Sequence, residues 1–350
     1  MGEQHIYIAA NNGGIGGGEV MLLNLARAAR QLGRKVTILA PAQPGELADA
    51  ARDEGFSVIT FKAGKRWQYM LQLRAWKKQN PHSLLWCNGL LPAVATGGLK
   101  NRVVHLHQLP RGKQASLTTF AQKRADLTLV PSQFLVDRVS NSRLFYNWVR
   151  GASPQLGKVT SQHRVRVGFL GRPSLMKGTD VLAEAIASLS DRTENKYQLV
   201  IGGEAKFVSP EEQQKLETKL SLLGGSLTTL GWVEPEDFYQ KIDILVCPSR
   251  VPESFGLVVA EAMSTRMPLI ISDAGALPEV VGEGYPWIVP AGDAQKLAET
   301  IETVARHLTG SSDYLEQVTT DVFWRWQEKF SPEAGKAALH AILKELEQRQ

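Results

Sequence analysis

The residues best suited to bind a phosphorylated ligand lie in the second half of the chain. Arg172 follows a strand-like run, and Lys177 comes five residues later, where a helical pattern begins. Two cations beside a helix N-terminus can bind a diphosphate and stabilise the negative charge that develops when it leaves. An arginine and a lysine in a loop are ordinarily solvated, so this pair needs support from a further motif.

Two carboxylates in the segment PSRVPESFGLVVAEAM provide that support. Glu253 lies at the end of a loop, and Glu261 lies eight residues later, two turns into the following helical pattern. A carboxylate at a helix start can be a simple cap, and one on a helix is usually exposed. Glu261, however, lies within the apolar run LVVAEAM, which is suited to burial. A buried carboxylate needs a partner, such as vicinal hydroxyls.

A glycine-rich segment, NNGGIGGGE, follows the first strand-like run and precedes an amphipathic helical pattern. Glycine permits positive φ and lets backbone N–H groups approach a phosphate at a helix N-terminus. The spacing does not match a Gly-x-Gly-x-x-Gly dinucleotide motif, and the second strand-like run ends in TILAP without an acid. These features disfavour a nicotinamide cofactor. A tight strand-to-helix turn without a ligand is the alternative.

Short apolar runs alternate with helical patterns throughout, which predicts parallel sheets covered by helices on both faces. The strand-like runs lie at 5–10, 35–40, 57–61, 83–87, 102–106, 126–130, 165–170, 197–202, 226–231, 243–248 and 267–272. We predict an α/β protein with two Rossmann-like, doubly wound domains that face each other across a cleft. The predicted segments are a first domain at 1–150, a linker at 151–163, a second domain at 164–330, and a helix at 331–350 that crosses back to the first domain.

Composition narrows the class of protein. With 43% hydrophobic and 21% charged residues the chain is typical of a folded protein. Its apolar stretches fall short of a signal peptide or a membrane span. The two cysteines, Cys87 and Cys247, lie far apart in apolar runs and offer neither a disulfide framework nor close-spaced metal ligands. We expect a cytoplasmic protein.

The charge is unevenly distributed. Residues 1–150 contain 20 Lys+Arg against 8 Asp+Glu, or +12, and residues 151–350 contain 20 against 27, or −7. A basic half attracts anions, although it can also be only a solubilising surface. Nucleic acid is disfavoured, because no compact aromatic and basic recognition motif is present. Aromatic and basic residues do alternate between 65 and 78, which predicts docking at the inner face of an anionic membrane and a lipid-linked or envelope glycan acceptor. These residues are Lys65, Arg66, Trp67, Tyr69, Arg74, Trp76, Lys77 and Lys78.

The motifs together resemble those of the retaining glycosyltransferases of family 4, which have the two-domain GT-B fold. The resemblance covers nearly the whole chain and is strongest from 165 to 295. The matching residues are Gly16, Gly17, Gly18 and Glu19; Gly171 and Arg172; Lys177 and Gly178; Pro248 and Ser249; Glu253 to Leu257; Glu261, Ala262 and Met263; Pro268, Leu269 and Ile270; and Gly275 to Glu279.

The resemblance implies that a sugar is transferred from a nucleoside-diphosphate sugar to an acceptor hydroxyl with retention of configuration, without a metal ion or a cofactor. It implies catalytic roles for His107, Arg172, Lys177 and Glu253. A structural histidine is the alternative for His107. The implied donor-binding residues are Gly16, Gly17, Arg172, Lys177, Val233, Glu253, Ser254, Phe255, Gly256, Leu257 and Glu261.

The sequence departs from the family pattern at four positions. Arg266 and Ala276 replace glycines, Trp148 replaces the glycine of an Asn-Gly-Val segment and puts a bulky group near the expected hinge, and Asn88 replaces a frequent histidine. Other functions on the same scaffold are a sugar-nucleotide epimerase, a phosphorylase, or an inactive sugar-nucleotide-binding partner subunit.

Overall fold

The computed structural model describes residues 5–110, 112–152, 164–193, 196–204, 209–310 and 312–349. The chain divides into two compact units. The first unit comprises Met1–Val149 and Lys329–Gln350, and the second comprises Arg150–Glu328. Most of the predicted linker, 153–163, lies outside the described residues.

The first unit contains a seven-stranded parallel sheet with the strand order β3-β2-β1-β4-β5-β6-β7. Its strands are β1 (His5–Ala10), β2 (Lys35–Pro41), β3 (Ser57–Phe61), β4 (Leu84–Asn88), β5 (Arg102–His105), β6 (Leu127–Val130) and β7 (Arg143–Leu144). Its helices before residue 150 are α1 (Gly17–Gln31), α2 (Glu46–Asp53), α3 (Arg66–Gln79), α4 (Leu90–Ala95), α5 (Lys113–Gln122) and α6 (Gln133–Val136). Alternate residues of β1 enter different cores: Ile6 and Ile8 belong to one buried cluster and Ala9 to another. Apolar layers on both faces explain the near-continuous apolar runs.

The second unit contains a six-stranded parallel sheet with the order β10-β9-β8-β11-β12-β13. Its strands are β8 (Val165–Leu170), β9 (Tyr197–Gly202), β10 (Leu227–Gly231), β11 (Ile244–Cys247), β12 (Leu269–Ser272) and β13 (Ile288–Val289). Its helices are α7 (Thr179–Thr193), α8 (Pro210–Ser221), α9 (Pro235–Tyr239), α10 (Leu257–Ser264), α11 (Leu277–Val281), α12 (Ala294–Thr309) and α13 (Asp313–Lys329). The predicted α/β class with two Rossmann-like parallel sheets is therefore confirmed.

The last helix, α14 (Pro332–Gln348), packs on the first unit against α1. Trp148 is buried there, and its carbonyl accepts a hydrogen bond from Asn24 at 2.9 Å. A Cβ atom at Gly335 would lie 2.1 Å from Trp148 Cδ2, so α14 approaches the indole closely at this point. The Trp148 side chain is thus part of the core of this unit, one residue before the boundary with the second unit.

The expected membrane-facing positions of Tyr69 and Lys77 need correction. Tyr69 is buried, and its hydroxyl donates to the Ala10 carbonyl at 2.9 Å, so it lies in the core and not on a membrane-facing surface. Lys77 is also buried, because its ammonium group fits between carbonyl groups beyond the end of α3, including that of Ser83 at 2.7 Å.

In both sheets the strand order reverses at the centre, between β1 and β4 and between β8 and β11. Loops from adjacent strands leave in opposite directions at such a point and open a crevice beyond the carboxyl ends of the strands, where ligands of these sheets bind. Within the described ranges, no helix is long and apolar enough to span a membrane.

Candidate functional site

In the second unit, the loops that follow β8 and β11 contact each other directly. Gly178 has a φ of +70°, and a Cβ atom there would lie 1.9 Å from the Pro248 carbonyl oxygen. The backbone N–H of Arg250 donates to the Met176 carbonyl at 2.9 Å, and the Arg250 guanidinium pairs with Asp180 at 2.6 Å. The central crevice of this sheet is therefore bounded by two loops that support each other.

Two of the residues singled out in the sequence, Lys177 and Glu253, meet in this crevice. Lys177 Nζ donates to Glu253 Oε1 at 2.6 Å, and Ser249 Oγ donates to the same oxygen at 2.6 Å. The Lys177 side chain is 38% exposed, and the Glu253 side chain is only 14% exposed. Burial lowers the pKa of Lys177, but the charge and hydrogen bond of Glu253 outweigh it, so the pKa is raised and the group stays cationic.

Arg172 lies on the same loop, directly after Gly171. Its positive charge slightly lowers the pKa of Lys177, against the larger raising effect of Glu253. Gly171 has a φ of +131° and approaches Gly203 after β9 so closely that a Cβ atom on Gly203 would lie 2.1 Å from the Gly171 carbonyl oxygen. Glycine is favoured at Gly171 by its positive φ alone, since a Cβ atom there would meet nothing within 4 Å, whereas at Gly203 the backbone of the adjacent loop also leaves no room for a side chain.

A tight turn fixes the backbone of Glu253. The Glu253 N–H donates to Ala274 at 3.3 Å, and the Ala276 N–H donates to the Glu253 carbonyl at 3.0 Å. Gly275 between them has a φ of +69°, and a Cβ atom there would lie 2.5 Å from the Glu253 carbonyl oxygen. Ala276 has a φ of −82°, which any residue adopts. The replacement of the second family glycine by alanine therefore leaves this turn intact.

Glu261 lies in α10, which starts just beyond Glu253. Burial raises the pKa of Glu261 to about 7, although the hydroxyl of Tyr239 opposes the shift. That hydroxyl lies 3.1 Å from the Val258 carbonyl oxygen and 3.5 Å from Glu261 Oε2. Glu261 is thus a sparsely hydrogen-bonded carboxyl group that can accept hydrogen bonds from a ligand. Sequence reasoning missed Tyr239, whose spacing from Glu261 has no motif.

The remaining predicted donor-binding residues of the second unit lie at the carboxyl edge of the same sheet. Gly256 precedes α10 with a φ of +99°, and a Cβ atom there would lie 2.5 Å from Leu277 Cδ2. Ser254 and Phe255 precede Gly256, and Leu257 is the first residue of α10. Val233 follows β10 and packs against Gly202 at the end of β9.

In the first unit, the glycine-rich loop leads into α1. Gly16 caps α1, and its N–H donates to the Glu19 carboxylate at 3.2 Å. Burial raises the pKa of Glu19 to about 7 against the effect of nearby backbone N–H groups. Gly16 has a φ of −128°, and none of the five glycines between 13 and 18 has a positive φ. The positive φ that glycine permits is therefore not used in this loop. Close approach instead requires glycine at Gly13, where a Cβ atom would lie 2.1 Å from the Pro44 carbonyl oxygen.

His107 lies just beyond β5 in the first unit. Its Nε2 atom is 2.8 Å from the side-chain oxygen of Asn88, and the Asn88 amide nitrogen donates to the Gly18 carbonyl at 2.8 Å. Burial lowers the pKa of His107 to about 4, so the imidazole is neutral at physiological pH. Across the part of the chain that the structure describes, no three His, Cys, Asp or Glu side chains are grouped to hold a metal ion.

Two family models match the chain. The model described as Glycosyltransferase Family 4 matches residues 15–145, and the model described as Glycosyl transferases group 1 matches residues 164–307. A D-inositol 3-phosphate glycosyltransferase of Corynebacterium jeikeium is 30% identical over 187 residues, or 51% of this chain and 43% of that protein. A lipopolysaccharide core biosynthesis mannosyltransferase of Rhizobium leguminosarum is 32% identical over 139 residues, or 39% of each chain. The chain thus matches less than half the length of these two relatives.

Solved structures agree with the fold. The crystal structure of Anabaena HepE in complex with UDP and glucose superposes with a TM-score of 0.79 at 20% sequence identity, over 97% of this chain and 99% of that chain. At this identity the similarity establishes the fold. The chain therefore has the GT-B fold and belongs to glycosyltransferase family 4.

Proposed function

We propose that this protein is a retaining glycosyltransferase that transfers a sugar from a nucleoside-diphosphate sugar to an acceptor hydroxyl. The observation that carries the proposal is the cluster of Lys177, Glu253 and Ser249 at the central crevice of the second sheet, with both Lys177–Glu253 and Ser249–Glu253 contacts at 2.6 Å. A partly exposed lysine held by a carboxylate offers a fixed positive charge to a ligand phosphate. The family membership and the GT-B fold support the same reaction class.

The donor would bind along the crevice of the second unit. Arg172 and Lys177 would contact the diphosphate, and Glu253 would accept a hydrogen bond from a hydroxyl of the transferred sugar. The Glu261 carboxylate would accept hydrogen bonds from the ribose hydroxyls, because its described partners leave it sparsely hydrogen-bonded. The backbone of Ser254 to Leu257 would contact sugar and phosphate, and the loop around Val233 the nucleobase.

In the proposed step, the bond from the anomeric carbon to the β-phosphate oxygen breaks, and a bond forms to the acceptor oxygen on the same face of the sugar. The acceptor proton passes to a β-phosphate oxygen, so the products are a glycoside and a nucleoside diphosphate. Arg172 and Lys177 would offset the charge that develops on the leaving group, which lets the step proceed without a metal ion.

A binding panel tests this proposal first. Thermal unfolding is measured with UDP, GDP, ADP, CDP and NAD on the wild type and on the Arg172→Ala/Lys177→Ala double variant. A ligand at 100 times its Kd stabilises a folded state by about 2.7 kcal/mol, which is visible as a raised Tm. We expect one nucleoside diphosphate to stabilise the wild type but not the variant. Stabilisation by NAD alone would contradict the proposal, and conversion of the sugar without an acceptor would indicate an epimerase instead.

We further propose that the acceptor belongs to an envelope glycan or glycolipid and that the first unit docks on the inner face of an anionic membrane. On α3, Trp67 and Leu71 lie one turn apart and are 54% and 59% exposed, and Lys65 and Arg66 beside them are exposed. Apolar side chains flanked by basic residues bind anionic bilayers. The relative named for lipopolysaccharide core biosynthesis supports this acceptor class.

Both cysteines are free, which agrees with a reducing, cytoplasmic location.

Liposome flotation tests the membrane proposal. We expect the wild type to float with anionic vesicles and not with neutral ones, and Trp67→Ser/Leu71→Ser to lose this binding. Trp324→Ser is the matched control, since Trp324 is an equally exposed tryptophan on α13 of the other unit. Equal partition onto neutral and anionic vesicles, or the same loss in the control, would refute docking through α3.

A further inference from the structure

Asn88 connects two functional segments of the first unit. It is the last residue of β4, adjacent to the reversal of strand order, and its amide lies between the first turn of α1 and the His107 ring. Its amide nitrogen donates to the Gly18 carbonyl at 2.8 Å, and its amide oxygen lies 2.8 Å from His107 Nε2. The Gly18 backbone also contacts the ring, because a Cβ atom there would lie 3.5 Å from His107 Cδ2.

These contacts determine which nitrogen of His107 is protonated. The Gly18 carbonyl can only accept, so the group of Asn88 that faces it must be the NH2. The group that faces His107 is then the amide oxygen, which can only accept. His107 Nε2 must therefore donate, and in a neutral imidazole the other nitrogen, Nδ1, is left as an acceptor.

The groups around the His107 ring are consistent with this protonation state. Nδ1 is buried and has no hydrogen-bond partner among the described residues. The titratable group that faces the ring most closely is His105, with ring centroids 4.1 Å apart. Burial also lowers the pKa of His105 well below its ordinary value, so it contributes no positive charge.

We infer that Asn88 is a positioning residue that holds His107 as the Nε2–H tautomer and fixes its ring beside the first turn of α1. The inference rests on the proposed glycosyltransferase function. Because the same amide binds Gly18, Asn88 joins the glycine-rich loop and His107 in one hydrogen-bonded unit.

Nitrogen NMR on protein labelled at its histidines tests the tautomer directly. The His107 signals are assigned by comparison with His107→Gln. We expect the wild type to show a protonated Nε2 and an unprotonated Nδ1, and Asn88→Ala to show loss of this preference. A wild-type Nδ1–H form, or the same tautomer in Asn88→Ala, would overturn the inference. This measurement needs no activity, so its outcome is independent of the proposed function.

Kinetics then test the consequence. Residues that orient a functional group typically contribute roughly 10–100-fold, and we expect Asn88→Ala to lower kcat by that factor while the donor KM changes less than about twofold. Asn24→Ala is the matched control, because Asn24 also donates a buried amide hydrogen bond to a carbonyl of this unit, that of Trp148 at 2.9 Å, without contacting a histidine. Equal losses of kcat in both variants would indicate a merely structural role.

Asn88→Asp provides a second variant that keeps the acceptor for Nε2. A carboxylate beside the ring favours the imidazolium, so we expect the pH–kcat profile to acquire a new decline at acidic pH that the wild type lacks. The pH–kcat profile of Asn88→Asp can be measured even if Asn88→Ala does not fold. An unaltered profile in Asn88→Asp would contradict contact between Asn88 and a functional His107.

Discussion

The Lys177 ammonium group and the Glu253 carboxylate form a contact of 2.6 Å between two loops that are 76 residues apart in sequence. Glu253 is the less exposed partner and also accepts from Ser249, so it holds the lysine in one orientation. The contact therefore presents a fixed cation at the central crevice of the second sheet. It also keeps one oxygen of Glu253 engaged and leaves the other for a ligand hydroxyl.

Replacement of Lys177 tests the role of this cation. We expect Lys177→Ala to lower kcat/KM for the donor at least about tenfold, equivalent to roughly 1.4 kcal/mol of transition-state stabilisation, because the leaving diphosphate loses a charge partner. Lys219→Ala is the control, since Lys219 pairs with Glu184 at 3.3 Å in an exposed ion pair. Steady-state kinetics on both variants provide the measurement. Unchanged kinetics in Lys177→Ala would show that the donor site lies elsewhere.

The raised pKa of Glu261 predicts a pH dependence of nucleotide binding. Below a pH of about 7 the carboxyl is protonated and loses acceptor capacity for ribose hydroxyls. We expect the Kd for the bound nucleotide to increase by about tenfold per pH unit below that value and to level off above it. Titration calorimetry from pH 5.5 to 8.5 measures this, and Glu261→Gln should show weak binding without the dependence. A wild-type Kd that is flat across this range would contradict ribose binding by Glu261.

The same pKa also affects stability. Because burial raises the folded-state pKa from 4.5 to about 7, ionisation of Glu261 opposes folding. Its contribution to stability is fully present below pH 4.5 and is lost as the pH rises through about 7. Chemical unfolding at several pH values should therefore show Glu261→Gln gaining stability relative to the wild type as the pH increases. No relative gain would indicate that the carboxyl is not desolvated.

Replacement of Arg266 tests the cost of a left-handed backbone conformation at a residue other than glycine. Its φ is +57°, and its guanidinium lies 4.5 Å from the centroid of the Phe323 ring. Arg266→Gly relieves the strain and loses the cation–π contact, whereas Arg266→Ala loses the contact and keeps the strain. We expect the glycine variant to be more stable than the alanine variant by about 1 kcal/mol in urea unfolding. An alanine variant of equal or greater stability would mean that the backbone is unstrained there.

Gly335 tests the docking of the last helix. A Cβ atom there would lie 2.1 Å from Trp148, so we expect Gly335→Ala to lower the free energy of unfolding by about 1–3 kcal/mol. Gly225→Ala is the control, because a Cβ atom there meets nothing within 4 Å. The double variant Gly335→Ala/Trp148→Leu should recover part of the loss by making room. Failure of Gly335→Ala to destabilise the protein would show that α14 can move away from Trp148.

The sequence by itself determined the α/β class, because strands buried on both faces and the helices that cover them have different apolar periods. It also identified Arg172, Lys177, Glu253 and Glu261 as residues suited to diphosphate and hydroxyl ligands. Short helices such as α4 and edge strands such as β7 were missed, since too few residues repeat in them to show a period.

Only the tertiary structure decided which side chains meet. The Lys177–Glu253 contact and the approach of Tyr239 to Glu261 depend on loops that follow different strands, and no spacing in the sequence encodes them. The same holds for burial: composition could not distinguish exposed Trp67 from buried Tyr69 two residues later, because the orientation of α3 on its sheet separates them. The protonation of His107 likewise depends on Asn88, which β4 brings to the ring across the sheet.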